Sequence, residues 1–120
     1  MKKEQRPVVV AIAYSLETKK NVSSVFSFAD GKYFNVSCNG ASAAMNVYDY
    51  NRSCHISVST NGNRYSLYDY GESCHVDLKI NGERFEGYDY GSSNFFNGTI
   101  RGNSIEFYDY EVGRYFSYSV

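Results

Sequence analysis

The chain has 120 residues, among them 13 Tyr, 8 Phe, 10 Gly and a single Pro, and 12 Lys and Arg stand against 13 Asp and Glu. This is one domain's worth of chain, and a net charge of −1 excludes the broad positive field of a nucleic-acid binder. With 42% hydrophobic and 21% charged residues it is a globular sequence, and no apolar run reaches the ~18–20 residues that cross a bilayer.

Residues 1–30 carry no internal repeat and are expected to add one or two strands. Within them Val8 to Ala13 is apolar. The β-branched run Val8, Val9, Val10 predicts a buried β-strand; a secretion signal needs a longer, leucine-rich apolar stretch. Cys38, Cys54 and Cys74 are an odd number without a C-x-x-C spacing, so no disulfide framework is expected. Reduced thiols and a cytoplasmic location follow as expectations.

Residues 31–120 are four and a half 20-residue repeats, marked by Tyr-Asp-Tyr at 48–50, 68–70, 88–90 and 108–110. Such self-similarity marks one supersecondary unit repeated against its neighbours. Asn61-Gly62 and Asn81-Gly82 read as two-residue hairpin turns with positive φ at both positions, and Arg101-Gly102 as a weaker copy. Gly71-Glu72, Gly91-Ser92 and Asn51-Arg52 read as the companion turns, while 39–42 forms a four-residue loop in the first block.

Those turns sort the side chains onto two faces. One row is Val36, Met45, Val58, Tyr65, Leu78, Phe85, Gly98, Ile105 and Tyr118; its opposite is Asn35, Asn46, Ser57, Ser66, Asp77, Glu86, Asn97, Glu106 and Ser117. The expected fold is therefore all-β: an up-and-down antiparallel meander of about ten or eleven strands. A meander that long coils with its own twist and closes into a barrel or flower, which removes its bare edges.

Three sets of residues carry candidate chemistry. Asp49, Asp69, Asp89 and Asp109 share one level and either cap tight turns or converge on a cation, with Lys32 and Arg114 as expected partners of Asp49 and Asp109. Cys54-His55 and Cys74-His75 are adjacent pairs, so each thiol and imidazole point to opposite faces and no four-ligand metal site is predicted. The third set lies on the outer face: Tyr48, His55, Tyr68, His75, Tyr88, Phe95 and Tyr108, flanked by Tyr50, Tyr70, Tyr90 and Tyr110. An aromatic row is either a structural ladder of cross-strand pairs or an exposed binding strip.

The Tyr-Asp pairs with their following glycines resemble the tyrosine–aspartate repeats of bacterial Rhs-type shells and the hairpin repeats of bacterial β-flower domains, over residues 44–115. Gly71 and Gly91 follow the Asp by two positions where the Rhs-type pattern has three. The resemblance implies a repeated β-hairpin scaffold and brings no catalytic residue or cofactor with it. No nucleophile elbow, H-E-x-x-H or P-loop occurs either, so no enzymatic activity is expected. The functional expectation is a non-catalytic module offering the aromatic row to a glycan or a protein. Its alternatives are a barrel holding a small apolar molecule against Leu67, Val76 and Phe96, and a self-assembling structural unit.

Overall fold

The computed structural model describes residues 1–40 and 45–120. A helix, α1 (Arg6–Thr18), precedes β1 (Val22–Ser27), β2 (Lys32–Cys38) and β3 (Met45–Asp49). Seven more strands follow: β4 (Cys54–Asn61), β5 (Arg64–Asp69), β6 (Cys74–Asn81), β7 (Arg84–Asp89), β8 (Asn94–Arg101), β9 (Ser104–Asp109) and β10 (Arg114–Ser119). Each strand pairs antiparallel with the next, and β1 pairs with β10 to close a barrel. The meander, its closure and its core face are as the repeat predicts: Val47, Leu67, Val76, Phe96 and Phe107 are buried, while Asp77, Glu86 and Glu106 are exposed.

The N-terminal segment differs from expectation. Val8–Val10 lie in α1, not in a strand, and every residue from Arg6 to Leu16 is buried. Val9, Ile12 and Ala13 share one hydrophobic core with Leu67, Val76 and Phe96 of the wall. Inside a closed barrel no strand edge is free, so a segment there must satisfy its own N–H and C=O groups, as a helix does. That requirement outweighs the strand preference of three valines. Pro7 sits in the first helical turn, where its missing N–H costs nothing, and Lys19 ends the helix in the left-handed region with its N–H donated to the Ser15 carbonyl. Helix α1 thus occupies the barrel interior.

Register differs at the three Gly-containing hairpins 61–64, 81–84 and 101–104 and in the first block, always by an even number of residues, while Met45 with Val58, Tyr65 with Leu78, Phe85 with Gly98 and Ile105 with Tyr118 pair as the row predicts. Asn61 pairs with Arg64, Asn81 with Arg84 and Arg101 with Ser104, so the central turn residues are Gly62-Asn63, Gly82-Glu83 and Gly102-Asn103. In each, only the glycine has positive φ, the pattern of a turn with glycine first. At the other ends, four-residue loops join Asp69 to Cys74 and Asp89 to Asn94. Positive φ falls there on Ser53, Ser73, Ser93 and Gly113, not on Gly71 or Gly91. A Cβ on Gly71 would lie 2.7 Å from Cys54 Sγ, so a larger residue there must displace that thiol. In the first block Val36 pairs with Asp49, a shift of four; the loop predicted over 39–42 runs into 41–44, outside the described residues.

These shifts and the closure are one fact. A barrel requires stagger between strands, and the unshifted turns would have stacked the repeats almost level. The two-residue step at each Asn-Gly hairpin supplies that stagger without moving any side chain to the other face.

Candidate functional site

On the outer wall the aromatic residues form triads, one per repeat. Tyr68 packs edge-to-face on Tyr70 and His75 with ring centroids 4.8 and 4.7 Å apart, and Tyr88 does the same with Tyr90 and Phe95 at 4.9 and 4.8 Å. Tyr48 is flanked by Tyr50 and His55, Tyr108 by Tyr110 and Tyr115. A further triad, Phe26 with Phe28 and Tyr33, stands where the N-terminal strands meet the first repeat and was not foreseen. The structure thus brings together, in pairs, the predicted Tyr48 with His55, Tyr68 with His75 and Tyr88 with Phe95. Within each triad the central ring, a tyrosine in the repeats and Phe26 before them, is half-buried between its neighbours. The flanking residues are the open ones: Tyr70 is 60% exposed and Phe95 64%.

The stagger then sets unlike residues side by side. One row perpendicular to the strands runs Ser59, Ser66, Asp77, Tyr88 and Phe95, and the next runs Asn61, Arg64, Lys79, Glu86 and Asn97. Between them lies a depression of about 1060 Å³ on the outside of β4–β8, walled by Tyr88, Phe95 and Tyr110 at one end and by Arg64 and Lys79 at the other. Small residues, Ser59, Ser66 and Gly87, line it between those walls. Gly87 is bare because a Cβ would meet the Asp77 carbonyl at 2.0 Å and the Phe96 ring at 2.4 Å. The Tyr90 hydroxyl donates to Asp77 Oδ2 at 2.9 Å, and Asn97 Nδ2 donates to the Tyr110 hydroxyl at 3.0 Å, so the groove's rim is braced. Tyr48, His55, Tyr68, His75 and Tyr108 stand outside this groove.

The Asp row closes one mouth of the barrel. Asp49, Asp69, Asp89 and Asp109 are all buried. In each, Oδ1 accepts a backbone N–H two residues on, from Asn51, Gly71, Gly91 and Glu111 at 2.9–3.1 Å. The second oxygen turns toward the N-terminal end of α1. Asp69 Oδ2 accepts from Gln5 Nε2 at 3.0 Å and forms an ion pair with Arg52 Nη1 2.9 Å away; Asp109 Oδ2 accepts from Arg6 Nη1 at 3.0 Å. Arg52 Nε also reaches Asp49 Oδ2 at 2.6 Å, and the Met1 nitrogen lies 3.4 Å from Asp89 Oδ2 and 3.5 Å from Asp109 Oδ2. Arg52 and Arg6 therefore replace Lys32 and Arg114 as partners of Asp49 and Asp109. Lys32 lies over the Phe34 ring and Arg114 over Phe116. The four carboxylates latch turns and helix together, which accounts for their burial.

Cys54 and Cys74 are partly buried among these carboxylates, while His55 and His75 are exposed on the outer face. Burial pushes the Cys54 thiol up, with Arg52 opposing and Asp69 and Asp49 reinforcing. Burial, then Asp89 and Asp69, push Cys74 up as well. Neither is held as a thiolate nucleophile. No helix among the described residues is long and apolar enough to cross a membrane. No family model, curated protein or solved structure matches the chain.

Proposed function

We propose that the chain is a non-catalytic glycan-binding module whose contact surface is the groove on β4–β8. The observation that carries this reading is the juxtaposition in that groove of open aromatic faces with polar groups. Phe95 and Tyr110 are 64% and 53% exposed beside Asp77, Glu86 and Asn97. Sugar rings stack on aromatic faces while their hydroxyls need donors and acceptors alongside, and a protein surface of this kind presents both. The predicted aromatic residues contribute unequally. Tyr88, the centre of its own triad, walls the groove with Phe95 and the companion Tyr110, whereas the triad centres Tyr48, Tyr68 and Tyr108 lie outside it. The raised thiols at the mouth favour a binder over a catalyst.

The test is affinity electrophoresis of the whole chain against a panel of soluble polysaccharides, with Phe95→Ala/Tyr110→Ala as the probe. Both positions are exposed, so the variant is expected to keep the wild-type far-UV spectrum and lose retardation. A folded double variant retarded like wild type, or a wild type retarded by no polysaccharide, refutes the reading.

A further inference from the structure

The polar end of the groove holds two cations without acidic partners, and they extend the glycan reading to a ligand class. Resting on that reading, we propose that the groove selects glycans bearing carboxylate groups, with Arg64 and Lys79 holding the acid. Arg64 on β5 and Lys79 on β6 are direct cross-strand partners on the outer face. Like charges directly opposed destabilise a strand pair, and the cost falls when an anion is shared between them. Lys2 meets Glu72 at 2.8 Å, Lys3 meets Asp30 at 3.1 Å, and Arg6 and Arg52 meet the Asp row, whereas the remaining lysines and arginines form no ion pair among the described residues; of these, Arg64 and Lys79 are the two that line the groove. Arg64 and Lys79 have no ion pair within 4.0 Å among the described residues, although Glu86 stands opposite Lys79 on β7.

The other groove acid, Asp77, is engaged by the Tyr90 hydroxyl. Lys79 lies one strand and two residues from Tyr88, roughly 8 Å by strand geometry. That span suits one sugar stacked on the aromatic wall with the acid group of its neighbour on the cations. Glu86 between them accepts hydroxyls and repels a densely sulfated chain, so isolated carboxylates fit better than clustered anions.

The experiment is titration calorimetry of the whole chain with polygalacturonate, with its fully methyl-esterified form, and with heparin. The ester keeps the sugar backbone and removes the charge. We expect the ester and heparin each to bind about tenfold more weakly than polygalacturonate. Arg64→Gln/Lys79→Gln should then bind polygalacturonate at the level of the ester while retaining the wild-type fold by circular dichroism. Equal binding of acid and ester by wild type overturns the inference and leaves the glycan reading standing, as does selectivity that survives the double substitution. Tighter binding of heparin overturns it in favour of a general polyanion surface, and binding of none of the three overturns it while the polysaccharide panel decides the glycan reading.

Discussion

Asp69 tests how the barrel mouth is held. Its Oδ1 accepts two turn N–H groups, Gly71 at 2.9 Å and Glu72 at 3.2 Å, and its Oδ2 faces Gln5 and Arg52. Asp69→Asn keeps an oxygen for the turn but removes the charge beside the largely buried Arg52, whose Asp49 contact remains. We expect it to cost about 1–2 kcal/mol. Asp69→Ala removes the turn acceptor as well and leaves a buried guanidinium half-answered, so it should cost about 3–5 kcal/mol. The decisive comparison is Asp69→Ala/Arg52→Met/Asp49→Asn, because Arg52→Met alone would strand the buried Asp49 carboxylate that Arg52 also pairs. If the loss comes from the uncompensated charge, removing that charge should recover about 1–2 kcal/mol relative to Asp69→Ala alone. Urea unfolding followed by circular dichroism, with unchanged m-values, measures all three. A cost for Asp69→Ala below about 1 kcal/mol, or a triple variant less stable than it, would refute the latch.

Other consequences are quickly checked. Gly87→Ala drives a methyl into the Asp77 carbonyl at 2.0 Å and should cost more than about 3 kcal/mol, whereas Gly62→Ala meets open space and carries only its positive φ, about 1 kcal/mol; thermal melts separate the two. Ser73→Gly relieves a left-handed serine at a position where the last repeat already has Gly113, and its melting temperature should rise by a few degrees, about 1 kcal/mol. Burial pushes the Cys38 thiol up to about 12 from 9.0 and, against Arg6, the Tyr118 hydroxyl up to about 12 from 10.0. Both folded-state values exceed the unfolded ones, so the fold holds the neutral forms. Their contribution is fully present below about pH 9 and is lost as pH rises toward 12. Melts from pH 8 to 11 should show falling stability, with Cys38→Ala flatter than wild type.

The parts legible from the residues were those that depend on parity. Val76 in and Asp77 out follow from alternation, and the Tyr-Asp-Tyr spacing marks the hairpins. Asp at the turn entrance fits its hydrogen-bonding habit. Register was legible across the Asp-row turns, where Tyr65 meets Leu78, but not at the Asn-Gly hairpins, because a slip of two residues leaves every side chain on the same face: Val58 beside Tyr65 and Val58 beside Leu67 are equally apolar. Only the stagger demanded by closure chooses between them, and that is a property of the whole ring. The same slip decides the candidate site, since it puts Tyr88 beside Asp77 and Glu86 beside Lys79. Val8–Val10 misled for a related reason. Their helix is imposed by the enclosure around them, which no local window of sequence contains.

The barrel's closing seam gives its folding two tempos. Hairpins from β3 onward join neighbours a few residues apart and can zip early, on the time scale of short loops. The β1·β10 seam instead brings Phe26 to Ser119, across most of the chain. It can shut only after α1 is threaded inside, since the finished wall leaves no lateral way in. Assembly should therefore show rapid gain of strand signal followed by one slower cooperative step, in which threading and sealing happen together.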